Sequence, residues 1–240
     1  MNLKLEGKKA LVTGGTRGIG RSIVLALAHS GVNVVTCARG DGEALARELK
    51  EIGGDHHVVK ADMGDPEDVT RLVEECRTRL GSLDLVVHNA GVISHIPFPE
   101  LPLAEWHRVV NTNLTGAYLL IQGTLPLLGA GSSIVLIGSR VATIGIPLRA
   151  HYTAAKAGLI GLTRSAAKEL GPKGIRVNVI APGPVETEAE TPPEVRERYQ
   201  RMIPLGRLGQ ADEIAGPVLF LASDLSTFVT GETIHVDGGI

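Results

Sequence analysis

The sequence predicts an α/β fold: one doubly wound domain over 1–240, with a seven-stranded, mainly parallel sheet and helices on both faces. Three observations carry the prediction. Seven short apolar runs alternate with longer amphipathic stretches along the whole chain. Several of those runs are apolar at nearly every position, as strands covered on both faces must be. The first run ends in a cluster of glycines that opens the first amphipathic stretch, where such sheets hold a ligand. With 240 residues and 43% hydrophobic content, the chain is large enough for one sizeable core.

Lys9–Thr13 is the first strand, and the helix over 18–30 leaves the glycine cluster. Val32–Cys37 is β-branched and apolar, and the mixed pattern over 41–52 follows as a helix. His57–Ala61 is the third strand. Pro66 opens the helix over 66–80, with Asp65 as its cap. Leu83–His88 is the fourth strand. One long helix spans 103–128, with Trp106 packing near its start. Ser133–Gly138 is the fifth strand. The helix over 152–170 is rich in Ala and Gly, which permits close approach to a ligand or to another helix. Arg176–Ala181, a helix over 210–222 and Thr233–Val236 complete the pattern. The stretch 184–204 is the least core-like, with Pro184, Pro192, Pro193 and Pro204 and five glutamates. It reads either as a mobile insertion over the site or as a plain solvated loop.

Composition removes several classes. A net charge of −2 carries no bias toward nucleic acid. Cys37 and Cys76 are the only cysteines and suggest neither a disulfide framework nor a metal site. No apolar run approaches the ~18 residues of a membrane span. The residues before the first strand lack an apolar signal region. A cytoplasmic protein that meets no membrane is the expectation.

The glycine cluster is Gly14-Gly15-Thr16-Arg17-Gly18-Ile19-Gly20. Glycines let the backbone turn sharply and approach a pyrophosphate, and the helix behind supplies N–H groups and a positive dipole. The spacing Gly-x-x-x-Gly-x-Gly lacks the Gly-Lys-Ser/Thr of nucleoside triphosphatases. The turn therefore points to a dinucleotide in a Rossmann-type fold, held by Gly14, Thr16, Arg17, Gly18, Ile19 and Gly20. At the end of the second strand an acid would hold the ribose of NAD. Here Ala38 and Arg39 stand there. A guanidinium suits a 2′-phosphate, and Arg17 lies within reach of the same group. NADP(H) is the expected cofactor, against the plainer reading of two solvated arginines. Asp62, followed by Met63, is placed to accept from an adenine amino group, or else to cap a helix. Asn89 is positioned to tie neighbouring strands, and Ala90 and Gly91 are small enough to let the chain pass under a cofactor.

Tyr152 and Lys156 are four residues apart, hence on one helical face. A lysine cation beside a phenol favours phenolate and lowers its pKa from about 10. A phenol tuned in this way exchanges protons with a carbonyl or alcohol oxygen near neutral pH. Ser139, thirteen residues upstream, is a hydroxyl that could hold the same oxygen.

In this order and spacing, Thr13-Gly14-x3-Gly18-Ile19-Gly20, Asn89-Ala90-Gly91, Asn113, Ser139, Tyr152-x3-Lys156 and Pro182-Gly183 resemble the short-chain dehydrogenase/reductase family. The likeness covers essentially the whole chain. The tail from Pro204-Leu-Gly-Arg to Gly239 resembles the 3-oxoacyl-acyl-carrier-protein reductase branch. The resemblance implies Tyr152 as the acid in ketone reduction, and Lys156 lowering its pKa and holding the nicotinamide ribose. It implies Ser139 polarising the substrate oxygen and Asn113 supporting a water relay beyond Lys156. Pro182, Gly183, Val185 and Thr187 would cradle the nicotinamide. It further implies a homotetramer paired through the helices over 103–128 and 152–170.

Three departures bear on the substrate. His88 stands where the family often has asparagine, and structure is its expected role. The run Leu125-Pro-Leu-Leu-Gly-Ala-Gly-Ser-Ser133 is uncharged where carrier-protein reductases present basic residues, leaving Lys173 as one basic contact. Docking of an acyl-carrier protein is therefore doubtful. Arg140 and Arg149 flank the pocket segment with His95 and His151 nearby, either to contact a polar or anionic substrate group or as surface arginines. The expected substrate is a 3-oxoacyl thioester or polyketide-like ketone, reduced with NADPH. The alternatives are a sugar, polyol or steroid alcohol dehydrogenase, and a non-catalytic NADP-binding sensor.

Overall fold

The computed structural model describes residues 3–188 and 192–240. Its seven strands are β1 (Lys9–Thr13), β2 (Asn33–Ala38), β3 (His57–Lys60), β4 (Leu83–His88), β5 (Leu128–Ile137), β6 (Arg176–Pro182) and β7 (Thr233–Val236). They form one sheet in the order β3-β2-β1-β4-β5-β6-β7. Every neighbouring pair is parallel, so the expected mainly parallel sheet is wholly so among the described residues. The order reverses between β1 and β4, which opens a crevice at their carboxyl ends.

The helices are α1 (Gly18–His29), α2 (Glu43–Ile52), α3 (Pro66–Leu80), α4 (Leu103–Val110), α5 (Gly116–Thr124), α6 (Val141–Ile144), α7 (Ala150–Leu170), α8 (Pro193–Met202) and α9 (Ala211–Ala222). Two buried clusters sandwich the sheet. One gathers Ile23, Leu27, Leu49 and Val218 from α1, α2 and α9. The other gathers Leu72, Cys76, Leu120 and Leu159 from α3, α5 and α7. Strands enclosed in this way need the continuous apolar runs that the sequence shows. α3 begins as read from sequence: Asp65 accepts from the Glu67 N–H at 2.9 Å, and Pro66 fills the first turn.

Three elements depart from expectation. The helix expected over 103–128 is not continuous, because the backbone widens into a π-turn at Asn111–Thr115 between α4 and α5. The Asn113 amide donates back to the Val109 carbonyl at 2.8 Å and across to Val92 O at 2.8 Å. A side chain that competes for the helical ladder opens it in this way. β5 starts at Leu128, five residues before the expected strand, with a register shift opposite Leu83 and Leu85. The 184–204 stretch contains α8, begun by Pro193 and with no buried residue; residues 189–191 of that stretch lie outside the described residues.

Close packing explains one small residue on α7. A Cβ on Gly158 would stand 2.6 Å from Leu114 of the π-turn. Glycine there lets α7 sit directly against the turn that carries Asn113. Among the described residues, no helix is long and apolar enough to cross a membrane.

Candidate active site

Two cavities lie along the carboxyl edge of the sheet. The larger, about 960 Å³, runs over the ends of β1, β2 and β4. The smaller, about 400 Å³, lies beyond β4, over β5 and β6. Ile19, Asn89, Gly91, Val92 and Thr187 line both, so the two form one trench.

The glycine turn floors the large cavity. A Cβ on Gly20 would stand 2.1 Å from Gly14 O, so α1 leaves the turn in direct backbone contact with it. The Gly14 and Gly15 amides donate to Cys37 O at 2.8 and 3.1 Å, fixing the turn to β2. Asn89 Nδ2 donates to Thr13 O and Gly14 O at 3.1 and 3.0 Å, tying β4 to β1 as expected. Gly14, Thr16, Arg17, Gly18, Ile19, Gly20, Arg39, Asp62, Met63, Asn89, Ala90 and Gly91 all line this cavity. Arg17 is exposed and, among the described residues, has no carboxylate within ion-pair reach. Arg39 makes only a loose 3.8 Å approach to Asp62. Asp62 accepts from the Gly64 N–H at 2.8 Å, so it braces its own turn while facing the cavity.

The trench fits a dinucleotide. Gly14, Gly18 and Gly20 line it beside the start of α1, where free helix N-terminal amides suit a pyrophosphate. A stand-in anion already occupies the spot: the Glu188 carboxylate accepts from Gly18 N–H at 2.9 and 3.1 Å.

Ser139, Tyr152, Lys156, Pro182, Gly183, Val185 and Thr187 line the small cavity. The electrostatics correct one expectation. Burial pushes the Tyr152 phenol above its ordinary range, opposed by hydrogen bonding with Ser139 and by the charge of Arg149. Lys156 lies 5.6 Å from the Tyr152 ring centroid and donates to Ile137 O at 2.7 Å. Its ammonium is thus directed at a carbonyl, and burial outweighs the groups that lower the Tyr152 pKa. Burial also brings Lys156 itself down to about 8.

Asn113 and His88 lie behind this cavity. Asn113 is fully buried, and its Oδ1 has no hydrogen-bond partner among the described residues. That oxygen would be 2.6 Å from a Cβ on Gly91, and Lys156 Nζ would be 3.6 Å from the same point. Asn113 therefore presents a free acceptor on the Lys156 side. Thr13 Oγ1 accepts from the Asn89 and Ala90 amides, which leaves its own hydrogen for His88 Nδ1 at 3.3 Å. His88 is then neutral, with its proton on Nε2. Burial, reinforced by Lys156, pushes its pKa down to about 3. These contacts match the structural role expected of it.

Arg140 does not meet the substrate expectation. It donates to Ile240 O at 2.8 Å, pairs with Asp237 at 3.1 Å and reaches Thr143 at 2.7 Å, so it ties the chain end to the segment after β5. Arg149 and His95 form a pair instead, with Arg149 Nε donating to His95 Nε2 at 2.9 Å. Two further bonds join the same segments, Ile96 N to Leu148 O at 2.9 Å and Ser94 Oγ with His151 Nε2 at 2.7 Å. Ser94 also bonds Glu105, which Arg108 and Ser94 hold down to about 2. The 94–96 loop is thus stitched to the start of α7, next to Tyr152. Sequence reasoning missed Val92, Ile93, Ile137 and Gly138 in the small cavity, and Cys37, Gly40, Asp41, Ala61, Thr112 and Glu188 in the large one. Their signal was position: most follow or end a strand on the ligand edge.

Comparison with known proteins places this site in a family. A family profile described as Enoyl-(Acyl carrier protein) reductase matches residues 14–240. A short-chain dehydrogenase/reductase from Serratia marcescens superposes with a TM-score of 0.94 at 34% identity, covering 98% of both chains. This chain belongs to the short-chain dehydrogenase/reductase family. It is therefore an oxidoreductase. Among its relatives, a 3-oxoacyl-(acyl-carrier-protein) reductase of Staphylococcus aureus is 42% identical over 97% of this chain and 98% of its own. An L-rhamnose 1-dehydrogenase (NAD(P)(+)) of Azotobacter vinelandii is 39% identical over 98% and 97%. A short-chain dehydrogenase from Burkholderia cenocepacia, solved in complex with NADP, has a TM-score of 0.94 at 32% identity, covering 98% of both chains.

Proposed function

We propose that this short-chain dehydrogenase/reductase reduces a ketone to a secondary alcohol with NADPH. The observation that carries the reading is the convergence of Ser139, Tyr152 and Lys156 on the small cavity that opens from the glycine-turn trench. Bound NADPH would supply the hydride. The chain's own residues do the rest. Ser139 orients the carbonyl oxygen by hydrogen bonding. Tyr152 donates a proton to that oxygen, and its raised pKa keeps the phenol protonated for that role. Lys156 would hold the nicotinamide ribose, and its pKa of about 8 lets it pass a proton at working pH. The free Asn113 Oδ1 anchors a water on the Lys156 side. Pro182, Gly183, Val185 and Thr187, which line the small cavity, would wall the nicotinamide.

Arg17 and Arg39 favour NADPH over NADH, since a 2′-phosphate would give Arg17 an anionic partner and Arg39 a closer one than Asp62 at 3.8 Å. The substrate we favour is a 3-oxoacyl thioester or polyketide-like ketone, in line with the relatives' names. The uncharged 125–133 stretch argues against a carrier-protein surface there. Gly131 N donates to Gly174 O at 2.9 Å, which brings the Lys173–Gly174 turn beside the stretch. Arg149, which lines neither cavity and pairs with His95, is either a surface arginine or a contact for a polar or anionic substrate group; a substrate contact requires Arg149→Ala to raise KM severalfold, and an unchanged KM removes that role. A sugar dehydrogenase running toward oxidation is the second reading, favoured by the L-rhamnose relative. The chain assembles as a homotetramer. Tyr118 and Leu103 on the α4–α5 side, and Phe228 and Leu225 near the carboxyl end, are exposed apolar groups that such contacts would cover. Light scattering should give about 100 kDa, four times 25.2 kDa; a monomer refutes it.

The deciding experiment is NADPH consumption against acyl thioesters, diketones and cyclic ketones. Turnover of a 3-oxo thioester or diketone is expected. Activity confined to alcohols with NAD overturns the reading.

A further inference from the structure

The anion on the glycine turn comes from far along the chain. Gly18 begins α1, whose N-cap Arg17 makes no side-chain capping bond and whose first turn holds no acid. Glu188, 170 residues later, fills that place with both carboxylate oxygens on one N–H. The contact is shaped as well as charged: a Cβ on Gly18 would meet Thr187 Cγ2 at 3.4 Å, so the 187–188 arm lies directly on the turn. Glu188 lines the large cavity, and Thr187 lines both. A helix N-terminus has few free N–H groups to offer an anion. A carboxylate and a phosphate cannot both accept from Gly18.

We propose that Glu188 is an internal competitor for the pyrophosphate subsite, displaced from the Gly18 amide whenever the dinucleotide binds. The inference rests on the dinucleotide reading of the trench. Its consequence is an order of events. Cofactor binding frees the arm that also walls the reaction cavity, so the substrate meets a wall already rearranged by the cofactor. Glu188 is exposed, so the competition is modest and removing it tightens binding rather than creating it.

The test is the dissociation constant of NADPH, read from its own fluorescence, for wild type, Glu188→Gln and Glu186→Gln. Glu186 is two residues away but bonded to Arg196 and Gln210, away from the turn. Glu188→Gln should bind NADPH about 5-fold more tightly. The factor should be the same for NADH, because both cofactors share the pyrophosphate. Inorganic pyrophosphate alone should raise the melting temperature of Glu188→Gln more than that of wild type. Glu186→Gln should match wild type. If Glu188→Gln binds NADPH no more tightly, or Glu186→Gln tightens it equally, the competitor role is wrong. Failure of wild type to bind NADPH at all would instead remove the dinucleotide reading.

Discussion

The two ends of the trench are built by different means. At the nucleotide end the walls are mostly backbone: a glycine turn, the α1 amides and strand ends braced by Asn89 and Cys37 O. Its cations, Arg17 and Arg39, are reachable by solvent or only loosely paired. At the reaction end, buried side chains predominate behind the cavity, and burial decides their protonation. Lys156 falls to about 8 and His88 to about 3, while Tyr152 is raised. An end made of backbone binds what many sequences bind. An end made of buried ionisable groups does chemistry and destabilises the fold while doing so.

That contrast predicts opposite outcomes at the two ends. Lys156→Met should lower turnover about 1,000-fold while raising the melting temperature, because a buried ammonium disfavours folding. The folded pKa lies below the unfolded one, so the full penalty stands below pH 8 and fades as pH rises toward 10.5. At about 2.5 pKa units it is worth roughly 3 kcal/mol. The gap in melting temperature between variant and wild type should therefore narrow between pH 8 and pH 10.

His88→Asn probes the same end with a smaller effect. Below pH 6.5 the unfolded imidazole takes a proton that the folded one refuses until about pH 3. Stability is therefore lost as pH falls through that window, by roughly 2 kcal/mol at pH 5. The asparagine variant should show a shallower loss in denaturant titrations from pH 7 to pH 5. An equal slope would mean that His88 does not stay neutral. At the nucleotide end, Arg39→Ala should leave stability unchanged and reduce the preference for NADPH over NADH roughly 10-fold. A change in stability without a change in preference would contradict the division between the ends.

Legibility in the sequence followed the same division. β1, β4 and β7 begin and end at the residues expected, because buried parallel strands and their flanking turns are local patterns. The glycine turn and the Tyr152/Lys156 spacing were likewise local. What was not legible depends on contacts between distant segments. Asn113 opens the long helix by bonding Val92, 21 residues away in sequence. Arg140 turns to the chain end 100 residues on, and so leaves the pocket. The early start of β5 runs through Gly129, Ala130 and Gly131, small residues that carry no strand signal of their own. The direction of the Tyr152 shift was missed because helical spacing shows which groups are neighbours, while burial and the Ile137 carbonyl decide where the Lys156 charge acts.

The most direct test of the account is Tyr152→Phe, assayed for both NADPH affinity and ketone turnover. If, as proposed, binding resides in the backbone end and proton donation in the Tyr152 phenol, NADPH affinity should stay within about 3-fold while turnover falls at least ~100-fold. Turnover near the wild-type rate would contradict the account.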